Sequence, residues 1–134
     1  MNRRALLARA LPWLLASYGL ASFAHFAHNA EYVRAYPNLP AWLSRSGIYL
    51  TWCAITAVGV LGYWLHRRRH ASVGVMLLAL YAAIGFDGLL HYQRAPMAAH
   101  TIAMNVTIWT EVAAAAKVLL AIGTGIVPTE SRTL

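Results

Sequence analysis

Four apolar stretches, each about as long as a membrane-spanning helix, take up most of this 134-residue chain. A spanning helix needs about 20 predominantly apolar residues. Charged residues make up 11% of the chain, whereas an ordinary soluble domain has about 25%. Because so few charged groups cannot cover a surface exposed to water, the sequence predicts a single all-α integral membrane domain over residues 1–134. Its approximate helices are 5–31, 41–65, 71–91 and 97–127.

Short polar turns separate these stretches. Pro37 and Pro40 lie in the first turn, where neither can donate a backbone hydrogen bond. The second turn contains three consecutive arginines, 67–69, and it is short enough to force neighbouring helices into a hairpin. Pro96 in the third turn suits the first turn of a following helix. The pattern predicts a four-helix antiparallel bundle.

Basic residues indicate how this bundle is oriented. They concentrate at the N-terminus and in the second turn, so the positive-inside rule predicts that both termini are cytoplasmic, in a bacterial inner membrane. The net charge of +7 does not indicate nucleic acid, because the basic residues mark segment ends and do not line an aromatic-studded face. The expected partners are the lipid bilayer and a membrane protein or a second copy of the chain. The basic residues concerned are Arg3, Arg4, Arg9, Arg67, Arg68 and Arg69.

The N-terminus also permits a second interpretation. Ser22-Phe23-Ala24 has the small-x-small pattern of a signal-peptide cleavage site, and cleavage there would make His25 the first residue. The preceding apolar run of about 20 residues is longer than the usual 7–15 of a signal peptide. The sequence therefore favours a retained first helix and leaves cleavage of residues 1–24 as the alternative.

Histidine and aspartate residues near the ends of the apolar stretches indicate a functional site. Such groups cost several kcal/mol in hydrocarbon unless they are paired. In the predicted bundle they would all lie in the outer half of the membrane, and imidazole-rich sets suit copper, zinc or iron. The sequence therefore predicts a transition-metal site, with Asp87 either a ligand or the partner that orients an imidazole. The predicted ligands are His25, His28, Asp87, His91 and His100.

Two glutamates are predicted to have accessory roles. Glu31 follows His28 by one helical turn and is an optional member of the site. On a continuous fourth helix, Glu111 would lie about 16 Å deeper than His100, too far to bind the same ion. Glu111 is therefore predicted to act separately, as a proton relay near the middle of the membrane.

Two short motifs resemble known membrane families. Asp87-x3-His91, followed by His100, resembles the copper site in the membrane C subunit of copper monooxygenases, although the last gap is shorter here. His28-Asn29-Ala30-Glu31 is similar to the histidine–glutamate signature of the HXXEE membrane proteins, with Tyr32 in place of the second glutamate. Both resemblances imply a polar metal site and neither implies a particular reaction.

The leading hypothesis is a small membrane metalloprotein that handles a metal or uses it for redox or hydrolytic chemistry on a lipophilic substrate. One alternative is a b-type haem electron-transfer protein, in which two histidines from different helices bind the iron. Another is a non-catalytic accessory or assembly subunit whose polar groups hold helices together. The chain contains no nucleotide-binding or nucleophile-elbow motif, so soluble-type hydrolase chemistry is not expected, and whether it is an enzyme stays open.

Overall fold

The structure is a computed structural model that describes the backbone of residues 3–125 and the side chains of residues 9–124. Within that range the chain is all-helical and has no strands, which confirms the predicted class. The helices are α1 (Arg3–Glu31), α2 (Arg45–His66), α3 (Ala71–Ile84), α4 (His91–Arg94) and α5 (Ile102–Gly125). Short 3-10 helices occupy Asp87–Leu90 and Met97–Ala99. Residues 126–127 of the predicted fourth helix lie outside the described residues.

Three helical segments of the described chain are long and apolar enough to cross a membrane: Arg45–His66, Ala71–Arg94 and Ile102–Thr124. The second of these runs from α3 through α4. Helix α1, which is 29 residues long, is not among these described segments, and its membrane span stays a prediction. The three apolar segments are compatible with contact with lipid.

Helix α1 packs against α2 and α5, and α3 also packs against α2 and α5. One group of buried side chains joins α1, α3 and α5: Leu11, Tyr18, Leu78, Tyr81, Ala82, Ala115, Val118 and Ile122. A smaller group joins α1 to α2: Phe26, Ala30 and Ile48. The functional side chains described below lie between these helices, so the packing fixes their positions.

Glycines allow α2 and α3 to approach closely. A Cβ atom at Gly59 would come within 2.6 Å of the Tyr81 ring. A Cβ atom at Gly74 would overlap the backbone of His66. Because Cβ atoms do not approach other atoms so closely, this interface requires glycine at both positions.

The predicted third helix, residues 71–91, ends early. Its α-helical part stops at Ile84, because the Tyr18 hydroxyl donates to the Tyr81 carbonyl at 2.9 Å. In a continuous helix that carbonyl would accept from the Gly85 amide, which instead bonds to the carbonyl of Ala82 at 3.1 Å. Gly85 lacks the Cβ atom that would lie 2.6 Å from the Tyr18 oxygen. A buried tyrosine of α1 thus replaces a helical bond of α3.

The predicted fourth helix begins later than residue 97. Helix α5 starts at Ile102, and the Thr101 hydroxyl accepts a hydrogen bond from the Met104 amide at 3.2 Å. This is the arrangement of an N-terminal cap. His100 therefore precedes the helix, in extended backbone, and does not share a continuous helix with Glu111.

Residues 32–44, which we call the strap, connect α1 to α2. Helix α2 begins at Arg45 and not at residue 41, because the Ser44 hydroxyl caps it by accepting from the Gly47 amide at 3.1 Å. Asn38 has a positive φ of 57°. Its side-chain amide donates to the carbonyl of Arg94 at 2.9 Å, and the Arg94 guanidinium donates back to the Asn38 carbonyl at 3.5 Å. These bonds fasten the strap to α4.

Candidate functional site

A cavity of about 200 Å³ lies beneath the strap, and three of the five predicted ligands line it. They are His25 from α1, Asp87 from the 3-10 helix and His91 from α4. The remaining lining residues are Phe26, Asn29, Leu39, Leu43, Ile48, Thr51 and Gly88. The fold therefore brings residues that are more than 60 positions apart to a common wall.

His25 is fully buried, and its hydrogen bonds define which ring nitrogen carries the proton. Its Nδ1 lies 3.4 Å from the hydroxyl oxygen of Thr107. That hydroxyl donates its own hydrogen to the Met104 carbonyl at 3.0 Å, so its oxygen can only accept from His25. Nδ1 of His25 is consequently the protonated nitrogen, and the lone pair of Nε2 faces the interior.

Asn29 connects His25 to His91. Its side-chain nitrogen donates to Nε2 of His25 at 3.0 Å and faces Nε2 of His91 at 3.4 Å. The two imidazole rings are 5.5 Å apart between centroids. Because Nε2 accepts in both histidines, two ring lone pairs converge on one amide nitrogen. The Oδ1 atom of Asn29 is buried and has no hydrogen-bond partner among the described residues.

His100 is buried beside His91, with 6.1 Å between the ring centroids. Its Nδ1 lies 3.1 Å from the carbonyl oxygen of Pro96. A carbonyl oxygen can only accept, so Nδ1 carries the hydrogen and Nε2 carries the lone pair. Among the described residues this Nε2 has no partner. The buried His25 and His100 and the half-buried His91 thus share one tautomer, with an unprotonated Nε2.

His28 is connected to His91 only indirectly, through Tyr36 of the strap. The Tyr36 hydroxyl and Nδ1 of His28 are 2.8 Å apart, and the Tyr36 ring centroid is 4.8 Å from that of His91. Burial raises the pKa of Tyr36 to about 12, so this hydroxyl stays neutral at physiological pH. The sequence suggested no site role for Tyr36, because a tyrosine beside a membrane boundary is usually part of an aromatic belt.

Asp87 lies in the cavity wall but does not pair with His91. No hydrogen bond joins these two side chains, and the Oδ1 atom of Asp87 is buried without a partner among the described residues. One of the two predicted roles, pairing with His91, assumes α-helical stacking four residues apart. It has no support in the structure, because Asp87 lies in a 3-10 helix, in which the rotation per residue is different.

Glu111 belongs to the buried network, contrary to the prediction that it lies apart. Its Oε2 atom is 3.8 Å from Nε2 of His25, and neither of its carboxylate oxygens has a hydrogen-bond partner among the described residues. The predicted separation is counted from His100 along one helix and does not consider α1. Glu111 meets His25 because His25 lies six residues before the end of α1, at the level of Glu111. The relay role of Glu111 stays a prediction.

Glu31 lies outside this network. Its carboxylate accepts hydrogen bonds from Arg45 at 2.9 Å and from Tyr49 at 2.8 Å, at the exposed ends of α1 and α2. It joins the two helix ends and does not contact the histidines. The expectation of an optional ligand at Glu31 therefore has no support in the structure.

Several buried hydrogen-bond acceptors in the cavity wall and beside its histidines have no partner among the described residues. They are the Oδ1 atoms of Asn29 and Asp87 in the wall, both carboxylate oxygens of Glu111 next to His25, and the Nε2 atom of His100 next to His91. As they are placed, no three histidine, cysteine, aspartate or glutamate side chains of the described chain are grouped so that they could hold one metal ion. The described residues therefore include unpartnered acceptors but no formed set of metal ligands.

Comparisons with known proteins give no information about this site. No protein-family model, curated protein or solved structure matches the chain.

Proposed function

We propose that this chain is a membrane metalloprotein that binds a transition-metal ion between His25 and His91, with Asp87 as the carboxylate ligand. The observation that supports this most is the shared tautomer of the buried histidines, whose unprotonated Nε2 atoms face inward. Neutral imidazole binds a metal through such a lone pair. Metal-binding histidines also usually donate their other ring hydrogen to an oxygen, as His25 does to Thr107.

The Oδ1 atom of Asp87, which is buried and has no hydrogen-bond partner among the described residues, gives the second argument. A buried carboxylate oxygen without a partner is costly unless a positive charge lies beside it. A divalent cation in the cavity would neutralise Asp87 and bind the two imidazoles at the same time. Two imidazoles with one carboxylate, leaving open positions, are typical of catalytic zinc and non-haem iron sites.

Binding requires a small rearrangement of the side chains. Zinc–nitrogen bonds are about 2.0–2.1 Å long, whereas the two Nε2 atoms lie 3.0 and 3.4 Å from the Asn29 nitrogen between them. We expect the rings to move inward by about 1 Å when the ion replaces the amide. His100, with its free Nε2, is the nearest further imidazole to His91 and is the candidate fourth ligand.

The size of the cavity favours an ion over a larger cofactor. Pockets for drug-sized ligands and cofactors are typically about 300–1,000 Å³, whereas this cavity is about 200 Å³. Haem between His25 and His91 would need a wide slot between rings whose centroids are only 5.5 Å apart. The same comparison leaves little room for a lipophilic substrate beside the ion, so we propose metal binding and not a reaction.

Measurement of bound metal tests the proposal. The full chain would be purified in detergent with a tag that contains no histidine, exposed to zinc, iron(II) or copper, and freed of excess ion. We expect one tightly bound ion per chain, and a loss of at least tenfold in affinity for His25→Ala and His91→Ala. Circular dichroism and gel filtration would verify that each variant remains folded.

Two matched variants make the test specific. His70→Ala removes an exposed histidine between α2 and α3 and should leave binding unchanged. Asp87→Asn should weaken binding, while Glu111→Gln, which changes the carboxylate on the other side of His25, should weaken it less. Absence of a bound ion after exposure to all three metals would reject the proposal and favour a non-catalytic accessory subunit. A Soret band would instead favour haem.

The proposal includes an orientation in the membrane. The strap and the turn before α5 would face the outside of a bacterial inner membrane, with the arginines at 67–69 on the cytoplasmic side. The metal site would then lie close to the outer surface, within an antiparallel bundle that has both termini in the cytoplasm.

A further inference from the structure

We infer that Asn29 is a clamp that holds the two imidazoles ready in the metal-free protein and must leave its position when the ion binds. This inference rests on the proposed metal site and concerns how that site is controlled. Asn29 lies four residues after His25, so the two side chains share one face of α1. His91 approaches the same face from α4.

The geometry of the amide group explains why one residue can hold both rings. A side-chain amide has two N–H groups, and the nitrogen of Asn29 lies 3.0 Å from one Nε2 atom and 3.4 Å from the other. Both rings are thereby held with their lone pairs directed at a single point. A metal ion requires lone pairs in the same arrangement. The partly positive N–H groups of Asn29 therefore take the place, between the two Nε2 atoms, that a positively charged ion would take.

The two histidines do not depend on Asn29 equally. His25 has a second constraint, because its Nδ1–H donates to Thr107, and this bond alone keeps its Nε2 unprotonated. Among the described residues His91 has no side-chain hydrogen bond besides the one to Asn29. Loss of the amide should therefore free the tautomer of His91 and leave that of His25 fixed.

The clamp competes with the ion. An entering ion must displace the amide and break its hydrogen bonds, which lowers the affinity of the site. Asn29→Ala removes both the hydrogen bonds and the bulk, and it leaves two buried acceptors unsatisfied in the metal-free state. We therefore expect this variant to bind zinc more tightly than the wild type, by roughly tenfold, as expected for the loss of ordinary neutral hydrogen bonds.

Two measurements on the full chain in detergent test the clamp. Nitrogen-15 NMR of labelled histidine rings in the metal-free protein distinguishes protonated from unprotonated ring nitrogens. In the wild type, Nε2 of His25 and His91 should be unprotonated. In Asn29→Ala, His91 should become a mixture of tautomers while His25 stays unchanged, and in Thr107→Val both rings should keep their tautomers, because the Asn29 amide still donates to each Nε2. Competition titration with a zinc chelator then gives the affinities.

Asn29→Leu is the volume control, because it fills the space without a donor and should bind zinc less tightly than Asn29→Ala. Weaker zinc binding by Asn29→Ala than by the wild type would identify Asn29 as a ligand and overturn the clamp. Unchanged His91 signals in Asn29→Ala would overturn it as well. If the wild type shows the expected tautomers but binds no metal, the proposed function is rejected, whereas the hydrogen bonds from Asn29 to the two histidines are supported.

Discussion

At the scale of single residues, the account depends on which nitrogen of each histidine is protonated. The sequence identifies His25, His91 and His100 as buried polar groups, but it contains no information about their tautomers. Those of His25 and His100 are determined by Thr107 and by the carbonyl of Pro96, and that of His91 by Asn29; none of these partners belongs to a recognisable motif. A hydroxyl seven residues after His100 resembles any other helical threonine until the packing of α1 against α5 is known.

The bond from His25 to Thr107 gives a residue-scale prediction. Thr107→Val keeps the shape of the side chain and removes the acceptor for Nδ1–H. Loss of such a supporting hydrogen bond typically weakens metal binding about 10–100-fold, and we expect a loss in that range in a chelator competition assay. Thr110→Val is the matched control, because Thr110 is exposed and bonds only within its own helix. Equal affinities of the two variants would contradict the assigned tautomer.

The acidic residues show how far the sequence can be used at this scale. The spacing of Glu31 places it beside the histidines, but Arg45 and Tyr49 of α2 bind it instead. The depth of Glu111 counted from His100 does not reveal its contact with His25, because His100 is not on α5 and His25 is on another helix. The spacing of residues along one helix predicts which side chains share a face. It does not predict which residues of two neighbouring helices lie at the same depth.

At the scale of elements, the existence and type of each long helix could be predicted from the sequence, whereas the residues at which it begins and ends could not. Runs of apolar residues identify all the long helices. The break after Ile84 depends on a contact from Tyr18 of another helix, so the sequence around Ile84 does not indicate it. By contrast, the caps at Ser44 and Thr101 are local, and hydroxyl residues followed by helical sequence are a known start signal.

The glycine interface between α2 and α3 gives an element-scale prediction. Gly74→Ala introduces a Cβ atom that overlaps the backbone of His66, and overpacking of this kind typically costs about 1–3 kcal/mol. Gly123→Ala is the matched control, since nothing lies within 4 Å of the added atom and alanine stabilises a helix by roughly 0.5–1 kcal/mol over glycine. Thermal unfolding in detergent should show opposite shifts. A Gly74→Ala protein as stable as the wild type would argue against this packing.

The strap gives a second element-scale prediction. Asn38→Gly retains the positive φ and removes the side-chain bond to Arg94, so the strap should open more often above the cavity. We expect faster chemical modification of His91 by diethyl pyrocarbonate, followed by mass spectrometry, with His70 as the internal reference. Asn38→Ala should have the same effect and should also lower stability, because left-handed backbone costs about 1–2 kcal/mol outside glycine. Unchanged modification of His91 in both variants would exclude a covering role.

At the scale of the whole molecule, the prediction concerns topology. In intact cells a membrane-impermeant maleimide should label a cysteine introduced at Asn38 or Ala98, both exposed, and should not label one at Arg68. Cys53 is exposed and would first be replaced by serine. Labelling of position 68 but not of position 38 would reverse the orientation and place the metal site at the cytoplasmic surface.

The whole molecule also brings together groups that no single segment contains. Apolar composition predicts helices in a membrane, and the cost of buried polar groups predicts that the histidines and acids meet. Which of them meet depends on α1, which supplies His25 and Asn29 although it is the least apolar of the long helices. Its polar side is turned toward α4 and α5, and this is why it carries so much of the site.

The central claim, that an ion is held between His25 and His91, is tested most directly by X-ray absorption spectroscopy of the zinc-bound protein. The account predicts scattering from at least two imidazole rings, with nitrogen at about 2.0–2.1 Å, together with one or more oxygen ligands. His25→Ala and His91→Ala should each lose imidazole scattering, and His70→Ala should retain it. A spectrum with oxygen ligands alone, or one that is unchanged in His25→Ala and His91→Ala, would contradict the account.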